Sequence, residues 1–338
     1  MRYQATALAV LASIIWGGSV RAADEPAPGV AVDVLLDTAR AYALRARWDD
    51  AERLIERALP LAAEAQDARR ETRLKIQLAR VLSSRATYKD LPLERALSLS
   101  EETVAVSRAL KDPELLGDAL HGWAVCRYDY QFRVPKPDHV PIRQALSEAL
   151  ALREQQKDPS RLAETLFYLG LVHERLDENP QAKATYERAL EVVTPAGDKV
   201  MMAYLYRHLA DFQKPERGLA GVLEYHRRCL RLREEAGFAT GIIFASVAVG
   251  ETLLEMKQPD QALPHYERAL AVAREIDVAR GAAYAHLGLA AVHQAAGRPE
   301  RAREHAREAL AAAARSQDRD VIGQVLKTTA PILGPAAK

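Results

Sequence analysis

Residues 261–270 read QALPHYERAL; the same pattern stands upstream at 181–190 as QAKATYERAL and downstream at 301–310 as RAREHAREAL. The small residue in second place is Ala182, Ala262 or Ala302, and the member between the first two is Val222, followed by His226, Cys229 and Leu230. Successive members are therefore forty positions apart throughout. Working upstream, Ala145, Ala96 and Ala51 extend the series at intervals of 37, 49 and 45. The N-terminal copies therefore carry insertions, while the C-terminal copies are regular.

Each copy reads as two helices. Ala182, Tyr186, Ala189 and Leu190 stand at i, i+4, i+7 and i+8, the spacing of one helix face. Leu169, Gly170 and His173 share a face of a preceding helix. Turn signals separate the two: Asp177 with Pro180, Lys257 with Pro259, and Gly297 with Pro299. Proline in a first helical turn loses no internal hydrogen bond and presets φ. Strand-type alternation is missing. A helix pair of this length cannot bury both of its faces alone and must stack on its neighbours. The expectation is an all-α protein, an α-α superhelix (solenoid) of about seven helix pairs over residues 30–333. A capping helix over Asp320–Leu333 closes it: Val321, Ile322, Val325 and Leu326 cover the last repeat, while Asp318, Arg319 and Lys327 meet water.

On these residues the chain resembles the tetratricopeptide repeat family. The family's small residue, where two helices cross closely, is matched by Ala39, Ala79, Gly122, Gly170, Ala210, Gly250 and Ala290. The large residue three positions later is Tyr42, Leu82, Val125, His173, Gln213, Leu253 or His293. In the second helices, Ala51-Ile55-Ala58, Ala182-Tyr186-Ala189 and Ala262-Tyr266-Ala269 fit the small–bulky–small pattern. The period departs from the common 34 and is similar to the longer variant of kinesin light chains and bacterial regulators. The tryptophan often found early in the first helix is absent. The resemblance spans about residues 30–316.

It implies that first helices line a concave groove holding an extended peptide or a partner helix. The first two repeats would offer Arg40, then Arg73, Ile76 and Arg80. The third offers Leu116, Trp123 and Arg127, and the fourth Glu164, Phe167, Leu171 and Glu174. Beyond them come Tyr204, Arg207 and Asp211, then Phe244, Val247 and Glu251, and last Tyr284 and Leu287. These aromatics either anchor a partner or pack against the next helix. The lysine–arginine–asparagine clamp of chaperone-binding members does not recur, Asn179 being the only asparagine. A second candidate is the insertion Arg127–Pro141, with three prolines and the aromatics Tyr128, Tyr130 and Phe132. Read as a loop that cannot continue a helix, it either binds or plugs a gap, one side folding back onto Trp123.

Composition bounds the rest. Of 338 residues, 49% are hydrophobic and 28% charged, which fits a folded chain, and the net charge of +1 gives no global field toward nucleic acid. Arg2 and the apolar run Ala5–Ile15 read as a signal peptide over 1–22, cleaved after Ala22 or retained as an anchor, with a flexible segment over 23–29. The expected location is periplasmic or secreted. Cys126 and Cys229 fall two repeats apart and are expected as free thiols. Nucleotide-binding glycine loops, a nucleophile elbow and zinc-type cysteine spacing are absent. His173 and His293 read as packed imidazoles, and His286 and His293, seven apart on one helix, lack a carboxylate to complete a metal site. Carboxylates such as Glu148, Glu164, Glu187, Glu191, Glu234 and Glu235 read as solvated ion-pair faces beside arginines, as in Glu187-Arg188, Glu267-Arg268 and Glu304/Arg307/Glu308. The expected role is a scaffold for a protein or peptide, without cofactor, metal or nucleic acid. The alternatives are an envelope sensing component and an enzyme acting on cell-wall glycans.

Overall fold

The computed structural model describes residues 28–89 and 91–334. The signal segment 1–22 lies outside the described residues. Of the segment 23–29, Pro28 and Gly29 are described, and they open the first helix.

Among the described residues all regular structure is helical, and the all-α, helix-pair expectation is borne out. The helices fall into two compact units: residues up to Arg85 with Pro92–Lys157, and Asp158 onward with Ala86–Leu91. The first unit holds α1 (Pro28–Leu44), α2 (Trp48–Glu64), most of α3 (Ala68–Lys89), α4 (Glu94–Leu110), α5 (Pro113–Gln131) and α6 (Val140–Glu154). The second holds α7 (Pro159–Arg175), α8 (Asn179–Val193), α9 (Lys199–Glu235), α10 (Ala239–Glu255), α11 (Pro259–Glu275), α12 (Ala279–Ala295), α13 (Pro299–Ser316) and α14 (Arg319–Leu333). The last turn of α3 belongs to the second unit.

In the second unit the turns carry the repeat. Left-handed residues close successive second helices at Gly197, Gly237, Asp277 and Gln317, in step with the sequence period. Within the helix pairs the same conformation falls at Asp177, Lys257 and Gly297. Each of these three turns is sealed by an amide reaching back to the last helical turn: Glu178 N to His173 O at 2.9 Å, Gln258 N to Leu253 O at 2.8 Å, and Arg298 N to His293 O at 2.9 Å. These bonds satisfy carbonyls that the helix end would leave orphaned. The fifth pair is compressed. α9 is two helices joined at a break where Gly218 takes φ 61° and ψ −163°, three residues after Pro215. Only glycine adopts that conformation without strain.

Close approach between helices explains the small–large pattern. Tyr186 and Tyr266 are fully buried, and each ring lies on a glycine of the preceding first helix. A Cβ on Gly170 would collide with the Tyr186 ring, and one on Gly250 would sit 2.7 Å from that of Tyr266. Tyr266 also meets Gly288 of the following helix, so one ring wedges between α10 and α12. Burying such a ring contributes about 3 kcal/mol. Cys126 and Cys229 are both buried free thiols.

The capping helix α14 packs on α12 and α13. Val321 and Val325 are buried as expected, but Leu326 is 52% exposed and Thr329 takes the inward place. Positions 321, 325 and 329 share one helical stripe, and 326 lies outside it.

In the first unit α3 buries Leu74, Leu78 and Leu82 and is also tied to its neighbours by polar contacts. Arg70 grips Asp33 of α1 at 3.1 and 3.3 Å, and Lys75 reaches Glu102 of α4 at 2.8 Å. Ile76 packs with Leu115 and Ala119 of α5. The insertion begins later than the sequence reading placed it. α5 runs through Gln131, so Tyr128 and Tyr130 are helical and the loop starts at Phe132. The reason is local: a proline blocks a helix at and just before its own position, and the first here is Pro135.

Candidate functional site

The first helices of the second unit, α7, the N-terminal half of α9, α10 and α12, pack one after another with α14 as the last member of the row. This row carries the second half of the expected groove residues, and they divide sharply.

Phe167 is buried at the centre of an aromatic cluster, with ring centroids 5.2 Å from Tyr204, 5.3 Å from His208 and 5.9 Å from Tyr186. It is core, as are Leu171 and Val247 and, in the first unit, Ile76. These four are corrected from groove to interior, because the adjacent repeat covers them. Tyr204 is half-buried, stacked toward Phe238 at 5.5 Å, with the guanidinium of Arg233 5.5 Å from its ring. Arg233 is itself buried and donates to the carbonyl of Gly241 at 2.7 Å, so it braces the turn into α10.

The open part of the row lies further along. Arg207 and Asp211 pair at 3.3 Å, one turn apart on α9, and are 36% and 73% exposed. Phe244 and Glu251 stand seven positions apart on α10, the former half-buried and the latter exposed. Tyr284 of α12 is half-buried, 6.4 Å edge-on from Phe244, and donates its hydroxyl to Gln324 of α14 at 3.1 Å. Arg280 stands over Phe244 at 5.4 Å, and Tyr88, in the segment of α3 that belongs to this unit, stacks on Phe244 at 6.2 Å. Loss of hydration raises the Glu251 carboxyl, with Arg207 opposing and Asp211 adding to the shift.

Beneath this surface His226 is buried. Its Nδ1 lies 3.0 Å from the Thr252 hydroxyl, which itself donates to Ala248 O at 2.8 Å. Thr252 has spent its proton, so His226 Nδ1 carries the hydrogen and Nε2 is left as a buried acceptor without a partner. Burial, then Arg207, pushes this imidazole down to about 4. Arg233, Gly288 and Tyr88 were not picked out by sequence reasoning, and His226 entered it only as the bulky member of the second-helix pattern, four positions after Val222. Gly288 left a local trace, standing two positions before the crossing residue Ala290.

In the first unit Trp123 is half-buried under the guanidinium of Arg127, 5.5 Å from its ring, and Arg127 also pairs with Glu101. Arg80 acts electrostatically on buried Cys126, whose thiol burial pushes up to about 12. Tyr128 is buried edge-on to Phe132 at 5.3 Å and tilted against His139 at 6.0 Å, which corrects its place among the surface candidates. Tyr130 is half-buried and Phe132 is 55% exposed. Arg40 is committed to Asp37 at 3.2 Å.

The histidines also sort themselves. His173 is half-buried and bonded to Glu178 at 2.5 Å, a turn contact rather than a packed imidazole, whereas His293 is buried. His305 of α13 joins His286 and His293: Nδ1 of His305 is 3.1 Å from Nδ1 of His286, and its ring stacks on His293 at 5.2 Å. No group of three or more side chains is placed to hold a metal ion among the described residues. Three of the carboxylates pair with residues a helix away rather than beside them, Glu148 with Arg108 at 2.8 Å, Glu235 with Lys199 at 2.8 Å, and Glu234 with Arg268 at 3.9 Å, and Glu187 pairs one turn back with Lys183 at 3.9 Å. Neighbouring helix positions do not face each other.

Residues 241–315 match the tetratricopeptide repeat family model, and residues 130–216 match that of anaphase-promoting complex subunit 5. No curated protein sequence matches the chain. Among solved structures it is similar to BtubC (BKLC) from P. vanneervenii, with TM-score 0.55 and 21% identity over 68% of this chain and 93% of that one. It is also similar to a Rap protein complexed with competence and sporulation factor, with TM-score 0.60 and 14% identity over 89% and 87%. A third is aspartyl phosphate phosphatase F from Bacillus subtilis, with TM-score 0.54 and 14% identity over 94% and 81%. No helix among the described residues is long and apolar enough to cross a membrane.

Proposed function

We propose that this tetratricopeptide-repeat chain binds a protein or peptide partner on the first-helix surface of its second unit. The observation that carries this reading is the open row Arg207, Asp211, Phe244, Glu251 and Tyr284. It presents half-buried aromatics and exposed charges on consecutive first helices. Aromatic anchors with a charged rim are the chemistry of peptide recognition. The similar Rap structure, solved with competence and sporulation factor, supports the reading. The role is binding rather than catalysis, and the chain is exported to the periplasm or secreted. Fold by itself assigns neither.

The test is retention of synthetic peptides. The full chain, immobilised and exposed to a random octapeptide library, retains a specific subset. Arg207→Glu, which reverses charge at the α9 end of the row, abolishes retention, while Trp123→Ala in the first unit leaves it intact. A wild-type chain that retains no peptide, or an Arg207→Glu chain that retains the same ones, overturns the assignment. Fractionation of the producing cell tests export: a chain confined to the cytoplasm removes that part.

A further inference from the structure

Most carboxylates on the first helices of the second unit already have a cation or donor. Glu174 meets His208 at 3.3 Å, Asp211 meets Arg207 at 3.3 Å, Glu216 meets Lys183 at 2.6 Å, and Glu255 meets Lys214 at 2.5 Å. Glu164 is engaged as well. Glu251 makes no ion pair and no side-chain hydrogen bond among the described residues. The arginine that acts on it, Arg207, is turned to Asp211.

Its surroundings are those of a subsite rather than of a plain solvated face. Glu251 lies on the same helical stripe as Phe244, two turns along, and its charge is felt by the phenols of Tyr266 and Tyr284 from two further helices. Water reaches its carboxyl from the open side, but the protein behind it strips enough hydration to disfavour the charge. A cation placed there would restore what hydration no longer supplies. The Phe244 and Tyr284 rings of the same row, 6.4 Å apart, offer an apolar and π-rich surface to the stem of a long basic side chain. An acidic side chain would meet both Glu251 and Asp211, and a neutral one would leave the carboxylate uncompensated.

We propose that Glu251 is the specificity determinant of this surface, taking the lysine or arginine side chain of a bound peptide. The assignment rests on the peptide-binding reading of the same row.

The same octapeptide library tests it by composition. Peptides retained by the wild-type chain carry lysine or arginine several-fold above the library frequency, at a fixed distance from an apolar residue. Glu251→Gln returns basic residues to the library frequency, and the best peptide, resynthesised with a fluorophore, binds this variant about tenfold more weakly. Glu251→Arg shifts the preference to aspartate and glutamate. The melting temperature of Glu251→Gln is no lower than wild type, since the native carboxylate has no partner to lose and its charge is disfavoured. Retained peptides without a basic preference, or a preference that persists in Glu251→Gln, overturn this subsite while leaving peptide binding in place. No retention by wild type overturns both.

Discussion

Both ends of the chain stack their helices on an apolar core laced with ion pairs between helices, but they differ in regularity. In the second unit, left-handed turn residues recur at a constant interval from Gly197 to Gln317, and tyrosine rings wedge onto glycines of neighbouring helices. In the first unit the left-handed residues Ala46, Gln66 and Lys111 fall unevenly, and α3 is lengthened to 22 residues. There, long side chains reach between helices: Arg69 to Asp112 and Glu114, Arg85 to Asp49 and Glu52, and Arg95 to Glu52 and Glu56. A wedge requires fixed geometry and therefore a fixed period. An arginine adapts to whatever separation an insertion leaves, at the expense of strength, because exposed ion pairs contribute little.

The largest effect that would sharpen this contrast is at the wedge. Gly288→Ala forces a methyl group into the Tyr266 ring and is expected to cost about 3 kcal/mol in urea unfolding. The matching change in the first unit, Gly122→Ala, meets only Ile76 Cγ2, at 3.2 Å. Its strain is offset by a helix-propensity gain of about 1 kcal/mol, for a net change near zero. Equal losses at the two sites would break the comparison.

Acid is the next lever, and it acts on the second unit. His226 and His286 are each held down to about 4, first by burial, and in His286 then by His305, Arg274 and Arg315. His293 and His305 are lowered as well, chiefly by burial, with Glu304 working the other way at both and Glu308 at His305. The unfolded chain takes up these protons from about pH 6.5 downward, whereas folded His226 and His286 take them up only near 4. Stability is therefore full above about 6.5 and falls as pH drops through that window, by about 2 kcal/mol at pH 5 for each of His226 and His286. Unfolding free energies between pH 7 and 5 check this, and His286→Leu should flatten the slope by one such share. A profile without slope refutes it.

Smaller effects follow at turns and surface pairs. Lys257 adopts φ 59°, and Lys257→Gly relieves that strain for a gain of about 1 kcal/mol in the same unfolding experiment. At the other end, Arg69→Ala removes the pairs to Asp112 and Glu114 in the first unit and should cost less than about 1 kcal/mol, shrinking further in high salt. A larger loss there would mean that the adaptable pairs carry more of that unit than their exposure allows.

Sequence and tertiary structure divide the molecule along a physical line. By itself the sequence determined the helix pairs, their constant C-terminal register and the glycine crossings at 170 and 250, because small–large spacing and turn residues act within a few positions of each other. It also marked which residues belong to first helices. Whether a first-helix aromatic anchors a partner or fills the interior was decided only in three dimensions. Phe167 is covered by rings brought in from other helices and Tyr128 by Phe132 and His139 of the loop that follows it, while Phe244 and Tyr284 keep an open edge. The same holds for charge: Glu255 finds Lys214 41 positions away, and Glu251, four positions earlier on the same helix, makes no ion pair among the described residues. Periodicity is a local property of the chain, whereas exposure and charge balance depend on the neighbouring repeat, and one sequence pattern serves both outcomes.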